Sequence, residues 1–114
     1  MRPDDPSLLV DMLLAAREAR QMTTGTDLEE YLEDRVLQLA LQKLIENIGE
    51  AASRLTAETK EKLPELPWKD MVGMRHRLVH DYMRVELMKV WEVVINDLEP
   101  LIAAIEPLVP PEDP

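Results

Sequence analysis

The 114-residue sequence contains no cysteine, which excludes a disulfide framework and any metal site built on thiolates. It also contains no phenylalanine and only two tryptophans and two tyrosines. With three glycines and no hairpin dipeptide such as Asn-Gly, the sequence lacks the usual signals of tight turns between strands. These absences argue against a sheet protein.

Long apolar segments are absent as well. No stretch approaches the roughly 20 residues that a membrane-spanning helix needs. The first residues, Met1-Arg2-Pro3-Asp4-Asp5, lack the apolar core of a signal peptide. We therefore expect a soluble cytoplasmic protein with no membrane partner.

Basic residues are in the minority, and the net charge is -10. Nucleic-acid binding normally requires a basic surface, so we expect no DNA partner. The charge is uneven, however, because residues 69–89 contain five basic and three acidic side chains. A local basic patch of this kind can still bind the phosphate of a small or positioned RNA.

The sequence is rich in aliphatic residues and methionine, and its apolar content is 46%. Such side chains favour helices over strands. The length suits one domain, which we place at residues 1–108, followed by a proline-rich acidic tail at 109–114.

Helical periodicity divides the chain into four long helices. Asp5-Pro6 predicts the start of the first, which ends near Met22. Thr26-Asp27-Leu28-Glu29 matches a capping box and opens a second helix to about Leu55, with a kink expected within Glu29–Arg35. Its apolar stripe includes Val36 and Leu39.

A short helix is predicted near 57–62, behind a Thr56 cap, and Trp68 opens the third long helix. The last runs from about Val85 to Ile105, and Pro100 predicts a kink in it. The predicted fold is all-α, an up-and-down four-helix bundle with a short additional helix.

The chemistry is concentrated between Gly73 and Tyr82, where two arginines and both histidines lie. Arginine presents a planar fork of donors that fits phosphate oxygens, and histidine can transfer protons near neutral pH. At 100° per residue, Arg75, His76, His80 and Tyr82 are expected along one exposed edge near the end of the third helix. That set suits phosphodiester cleavage without a metal.

The same residues would also fit a metal site or purely structural roles. His76 and His80 have the i,i+4 spacing of a zinc site, but a third ligand at a suitable spacing is missing. Arg77 fits a solvated residue paired with Asp81. Tyr82 could simply cap the bundle.

The pattern Arg75-x4-His80-x-Tyr82 resembles the signature of HEPN-domain proteins, in particular the HepT-like toxin family. The flanking stretches Pro67-Trp68-Lys69-Asp70 and Ile48-Gly49-Glu50-Ala51 resemble the same family, and the similarity extends over roughly 39–108. The resemblance implies a HEPN-like helical domain. It also implies a metal-independent endoribonuclease that needs no cofactor and acts as the toxin of a type II toxin–antitoxin module.

By the same resemblance, Arg75 would bind the scissile phosphate, and His80 would act as general base or acid. The products would carry 2',3'-cyclic phosphate and 5'-hydroxyl ends. His76 stands where the family often has Asn and would be an auxiliary active-site residue. Tyr82 matches a tyrosine that the cognate antitoxin, a minimal nucleotidyltransferase, modifies with AMP in some members.

The partners implied are thus a second copy in a homodimer, that antitoxin and an RNA substrate. A second hypothesis, from a different class, is a non-catalytic helical dimer that serves as a binding or scaffold partner of a nucleotidyltransferase. The acidic net charge favours this second hypothesis slightly, and the cluster of Arg75, His80 and Tyr82 favours catalysis.

Overall fold

The computed structural model describes the backbone of residues 4–80 and 87–110, and the side chains of 4–74 and 87–110. Within these ranges the chain forms seven α-helices and one 3₁₀ turn, with no strand. The helices are α1 (Asp5–Thr23), α2 (Leu28–Glu33), α3 (Arg35–Arg54), α4 (Ala57–Glu61), α5 (Trp68–His80), α6 (Leu87–Asn96) and α7 (Leu98–Ile105), and the 3₁₀ turn is Glu106–Leu108.

Four long helical arms account for most of the fold, because α2 and α3 are separated by one residue and so are α6 and α7. The arms are α1, α2–α3, α5 and α6–α7, and α4 is the short additional helix. The predicted all-α architecture is confirmed. None of the helices in the described ranges combines the length and the apolarity needed to cross a membrane.

The α3 helix lies at the centre of the packing, in contact with both α1 and α5, while α1 also packs against α7. The core is almost entirely aliphatic. Leu9, Met12 and Leu41 are fully buried in it, together with Val90 and Ile105. At about 25 cal/mol per Å² of apolar surface removed from water, this shared core is the main force that holds the arms together.

The second arm is interrupted at Asp34, inside the segment where a kink was expected. The Asp34 carboxylate accepts a hydrogen bond from the Leu37 N–H at 3.0 Å and so caps α3. The Gln38 amide donates to the carbonyls of Tyr31 and Leu32, at 3.0 and 3.1 Å. The side chains of Asp34 and Gln38 therefore satisfy backbone groups on both sides of the break.

The capping box of α2 lies one residue later than predicted. Asp27, not Thr26, is the N-cap, and it exchanges hydrogen bonds with Glu30 rather than Glu29. Both residue sets satisfy the same rule, since an acidic residue stands three positions after either cap.

The apolar stripe predicted for the second arm was wrong at its first two positions after the break. Val36 is 77% exposed and Leu39 is 49% exposed, although both were placed on the buried face. The buried face of α3 instead begins at Leu37 and continues through Leu41 and Ile45. The interruption at Asp34 resets the helical register, so one uninterrupted periodicity cannot describe both sides of it.

Asp5 was predicted to cap α1, but the N-cap is Asp4, and the side chain of Asp5 is fully buried. The Asp5 carboxylate accepts hydrogen bonds from the hydroxyls of Thr56 and Thr59, both at 2.6 Å. The Thr56 N–H also donates to it, at 3.3 Å. Asp5 therefore joins the start of α1 to the N-terminus of α4, where Thr56 is the predicted cap.

The last arm breaks at Asp97, three residues before the predicted position at Pro100. Proline clashes with the carbonyl four residues earlier, which here belongs to Asn96. Asn96 is the last residue of α6, and Pro100 lies in the first turn of α7, where a missing N–H has no cost. Pro100 thus causes the break one turn upstream of itself.

Candidate active site

The α5 helix carries three of the four predicted site residues. Arg75, His76 and His80 all belong to this helix. Because an α-helix rises 1.5 Å per residue, the backbone positions of Arg75 and His80 are about 7.5 Å apart along the helix axis. Their side chains are outside the part of the chain that is described. Tyr82 lies outside the described residues altogether, so its predicted role stays a prediction.

The N-terminus of α5 is fixed by Trp68, its first residue. The indole N–H donates to the Leu63 carbonyl at 3.0 Å, and the Lys60 ammonium lies 6.0 Å from the centre of the ring. The Met71 N–H closes the first turn on the carbonyl of Pro67, at 3.0 Å. This anchoring sets the position from which the helix carries Arg75 two turns further on.

Packing against α3 fixes the orientation of α5. Met71, Val72 and Met74 are partly buried against the core. Gly49 is buried on α3, the helix against which α5 packs.

An open groove of about 890 Å³ lies beside the segment that carries Arg75 and is bounded by α3, α5 and α6–α7. Its lining is mainly apolar, and Met74, the residue before Arg75, belongs to it. The apolar lining includes Ile45, Leu66, Met71, Met74, Val93 and Leu101, and the charged side chains are Glu65, Lys69, Asp70, Lys89, Glu92 and Asp97.

Two carboxylates in the groove influence each other. Partial burial raises the pKa of Asp97, and the charge of Asp70 raises it further. Asp70 is in the first turn of α5, and Asp97 lies between α6 and α7. The fold therefore brings two negative charges from distant parts of the sequence to the same groove.

The start of α6 is held by Tyr31, a buried residue of α2. Its hydroxyl donates to the Leu87 carbonyl at 2.8 Å, and its ring stacks on Trp91 with 4.8 Å between the centroids. Burial raises the pKa of Tyr31, so the phenol stays protonated and can donate near neutral pH. Leu87 follows the last residue of α5 by seven positions.

The zinc alternative for His76 and His80 is not tested, because their side chains are outside the described part. In the remainder, no group of three His, Asp or Glu side chains is arranged to hold a metal ion.

Comparison with known proteins identifies the family. The family model described as Ribonuclease HepT-like matches residues 12–108. A Thermococcus cleftensis protein named "Probable ribonuclease HepT" is 31% identical over 108 residues, which cover 95% of this chain and 98% of the relative. "Putative RNase MJ1380" from Methanocaldococcus jannaschii is 30% identical over 103 residues, 90% of this chain and 94% of the relative. No solved structure matches the chain.

The matched region contains every described helix from the middle of α1 to the 3₁₀ turn, and it includes the Arg75-to-Tyr82 motif. Both named relatives are matched over more than nine tenths of their length. The chain therefore belongs to the HepT-like ribonuclease family.

Proposed function

We propose that this protein is a metal-independent endoribonuclease that acts as the toxin of a type II toxin–antitoxin module. The observation that carries the proposal is the position of Arg75 and His80 on one helix, five residues apart, in a chain that matches a ribonuclease family over residues 12–108. Ribonuclease is the activity named for the relatives.

In the proposed reaction, His80 removes the proton from the ribose 2'-hydroxyl, and the 2'-oxygen attacks the adjacent phosphorus. The bond from phosphorus to the 5'-oxygen breaks, and that oxygen takes a proton. Arg75 binds the phosphate and stabilises the negative charge that develops in the transition state. The products are a 2',3'-cyclic phosphate and a 5'-hydroxyl end, and His76 assists as an auxiliary residue.

One helix supplies one such arginine and one strong candidate for proton transfer, whereas the reaction needs both a base and an acid. We propose a homodimer in which two copies of the motif face one cleft. The second copy would supply the second proton-transfer group.

The proposed regulator is a minimal nucleotidyltransferase antitoxin. The Tyr82 oxygen would attack the α-phosphorus of ATP and release pyrophosphate, which leaves AMP on the tyrosine. The modification adds negative charge and bulk two residues from His80, where it would repel the RNA phosphate.

The test of the nuclease is cleavage of an end-labelled RNA by the purified protein in EDTA. We expect cleavage by the wild type and a loss of at least a hundredfold in Arg75→Ala and in His80→Ala, since each removes a group that acts in the transition state. Arg54→Ala is the matched control, because Arg54 is an exposed arginine in the last turn of α3. Intact RNA with the wild type, or variants that cut as fast, would reject the assignment.

The second candidate is a non-catalytic dimer that binds a nucleotidyltransferase, and the net charge of -10 favours it because the substrate RNA is also an anion. Intact mass after co-expression with a neighbouring nucleotidyltransferase separates the two. AMP on wild type but not on Tyr82→Phe, together with cleavage by the unmodified protein, supports the toxin. Complex formation without cleavage supports the scaffold.

A further inference from the structure

The groove between α5 and α6–α7 contains charges that have no partner among the side chains that the structure describes. Asp70 and Asp97 are close enough for one to raise the pKa of the other. Across the described ranges neither carboxylate forms a hydrogen bond or an ion pair, and the same is true of Lys69 and Lys89. Two like charges close to each other are unfavourable, and a cation placed between them would remove the repulsion.

The groove has an apolar floor that suits side chains of varied shape. Met71, Met74 and Val93 are partly buried in it, and Leu66 and Leu101 lie deeper. Methionine is unbranched and flexible, so a floor with two methionines can adapt to the apolar face of a bound segment. An apolar floor with charges at its edges is the form of groove that binds an amphipathic helix.

Gly73 provides an independent observation on what the groove accommodates. It lies in the middle of α5, on the groove, and is exposed. A glycine there costs the helix about 1 kcal/mol relative to alanine. Apart from its chain neighbours and the backbone of its own helix, no described atom lies within 4 Å of the position that its Cβ would occupy, so no packing contact among the described residues requires a glycine. Because glycine has no side chain, another helix can approach the backbone of α5 closely at this position in the groove.

We propose that this groove is a docking surface for one basic amphipathic helix of a partner protein. The helix lays its apolar face on Met71, Met74 and Val93 and crosses α5 at Gly73. It places one lysine or arginine between Asp70 and Asp97. The proposal concerns a protein partner and does not depend on RNA cleavage.

The distribution of charge favours a basic partner over a second copy of this chain. Among the side chains that the structure describes, four carboxylates and two ammonium groups line the groove, and the whole chain carries -10. A second copy would bring the same excess of negative charge to the interface. A basic helix would neutralise it and would be attracted from a distance at low ionic strength.

The experiment is a selection of displayed 16-residue peptides on the immobilised full chain, with Gly73→Gln protein as the competitor that removes peptides bound elsewhere. The Cβ of a side chain at position 73 meets no described neighbour within 4 Å, so Gly73→Gln adds bulk to the groove from an unobstructed starting point. We expect enriched peptides with apolar residues at i, i+3 or i+4, and i+7 and a lysine or arginine on the adjoining face.

Affinity of the enriched peptide, made synthetically, then tests the contacts. We expect Asp70→Asn combined with Asp97→Asn to weaken binding at least tenfold, and Gly73→Gln to weaken it as much. Asp11→Asn, which removes an exposed carboxylate on α1, should leave affinity unchanged. A peptide with its lysine changed to glutamate should bind poorly to wild type and recover on Asp70→Lys.

Three outcomes would overturn the proposal. The selection could return no helical basic peptide, or the selected peptides could bind wild type and Gly73→Gln equally. Alternatively, sedimentation could show a wild-type dimer that dissociates in Gly73→Gln, with no peptide bound by either protein. The last result would assign the groove to a second copy. RNA cleavage by the wild type is measured separately, so its failure would not be confused with failure here.

Discussion

A single hydroxyl connects two arms of the fold that are far apart in sequence. Tyr31 is fully buried on α2, and it contacts α6 through both the Leu87 carbonyl and the Trp91 ring. The hydrogen bond and the stack act on the same helix end. Tyr31 is thus the residue that positions the start of α6 relative to the second arm.

Tyr31→Phe should keep the stack and lose the hydrogen bond. We expect a loss of about 1 kcal/mol in the free energy of unfolding, measured in urea, because the Leu87 carbonyl loses a donor. Tyr31→Ala should cost about 3–5 kcal/mol, since it also leaves a cavity against Trp91. If Tyr31→Phe leaves the free energy of unfolding unchanged, the hydroxyl contributes nothing to the contact between α2 and α6.

Substitution by alanine should change the stability in opposite directions at Gly73 and Gly25. Gly73→Ala should stabilise the isolated chain by about 0.5–1 kcal/mol, because it lies in a helix and its Cβ meets no described atom. Gly25→Ala should destabilise by about 1–2 kcal/mol, because Gly25 has φ +77° although its surroundings are equally open. Thermal unfolding of both variants gives the comparison, and a destabilised Gly73→Ala would show that the α5 surface is already covered.

At the scale of elements, most helices were predictable and their exact ends were not. Local signals identified the Thr56 cap, the start of α5 at Trp68 and the break near Asp34. Neighbouring acidic residues offered two equivalent caps for α2, and the geometry chose Asp27. The contact from Tyr31 to Leu87 spans 56 positions, and no local pattern contains it.

The residues of the candidate site were likewise predictable only where their signal is local in the sequence. The sequence identified Arg75, His76 and His80 because their spacing is local to one helix. It did not identify the pairing of Asp70 with Asp97, which exists only because α5 and the α6–α7 arm line the same groove. Properties that depend on tertiary proximity had no local signal.

Asp5 joins two elements, and its substitution should separate them. Asp5→Ala leaves the buried Thr59 hydroxyl without its acceptor and removes two hydrogen bonds at 2.6 Å. Because hydrogen bonds to charged groups contribute about 1.5–3 kcal/mol each, we expect a loss of at least 2 kcal/mol in urea unfolding. The exposed neighbour Asp4, whose side chain makes no cap hydrogen bond, is the control, and Asp4→Ala should cost less than about 0.5 kcal/mol.

At the scale of the whole molecule, the arms create an electrostatic coupling that titration can measure. The pKa of Asp97 is raised in the fold, first by burial and then by Asp70. Its protonated form therefore contributes stability that is fully present below about pH 3.9, the ordinary value, and is lost as the pH rises through the folded pKa. Asp70→Asn should lower the pKa of Asp97 without restoring the ordinary value, because burial remains.

A side-chain carboxyl NMR titration of Asp97 measures that shift directly. Glu29→Gln, an exposed acidic residue in the first turn of α2, is the matched control and should leave the titration of Asp97 unchanged. An identical pKa for Asp97 in wild type and Asp70→Asn would show that the two carboxylates do not interact in solution.

The proposed homodimer predicts that two inactive variants can restore RNA cleavage when they are paired, although neither can cleave alone. If two copies of the motif share one cleft, a heterodimer of Arg75→Ala with His80→Ala contains one intact Arg75, one intact His80 and two intact His76 residues, so one composite site can still hold both a base and an acid. In an unselected mixture about half of the dimers are heterodimers by random pairing. If each heterodimer retains one of its two composite sites, the RNA-cleavage activity of the mixture should recover to about a quarter of the wild-type activity.

Co-expression of the two variants with different affinity tags allows the heterodimer to be purified and its RNA cleavage to be measured. The control partner is the double variant Arg75→Ala/His80→Ala, which contributes neither group and should restore nothing to either single variant. Recovery in the first pairing alone means that Arg75 of one copy acts with His80 of the other. Activity that stays at the level of the single variants means that each chain would have to hold a complete site. The base and the acid would then both have to come from one α5 and its flanking residues, with His76 as the nearest candidate for the second group.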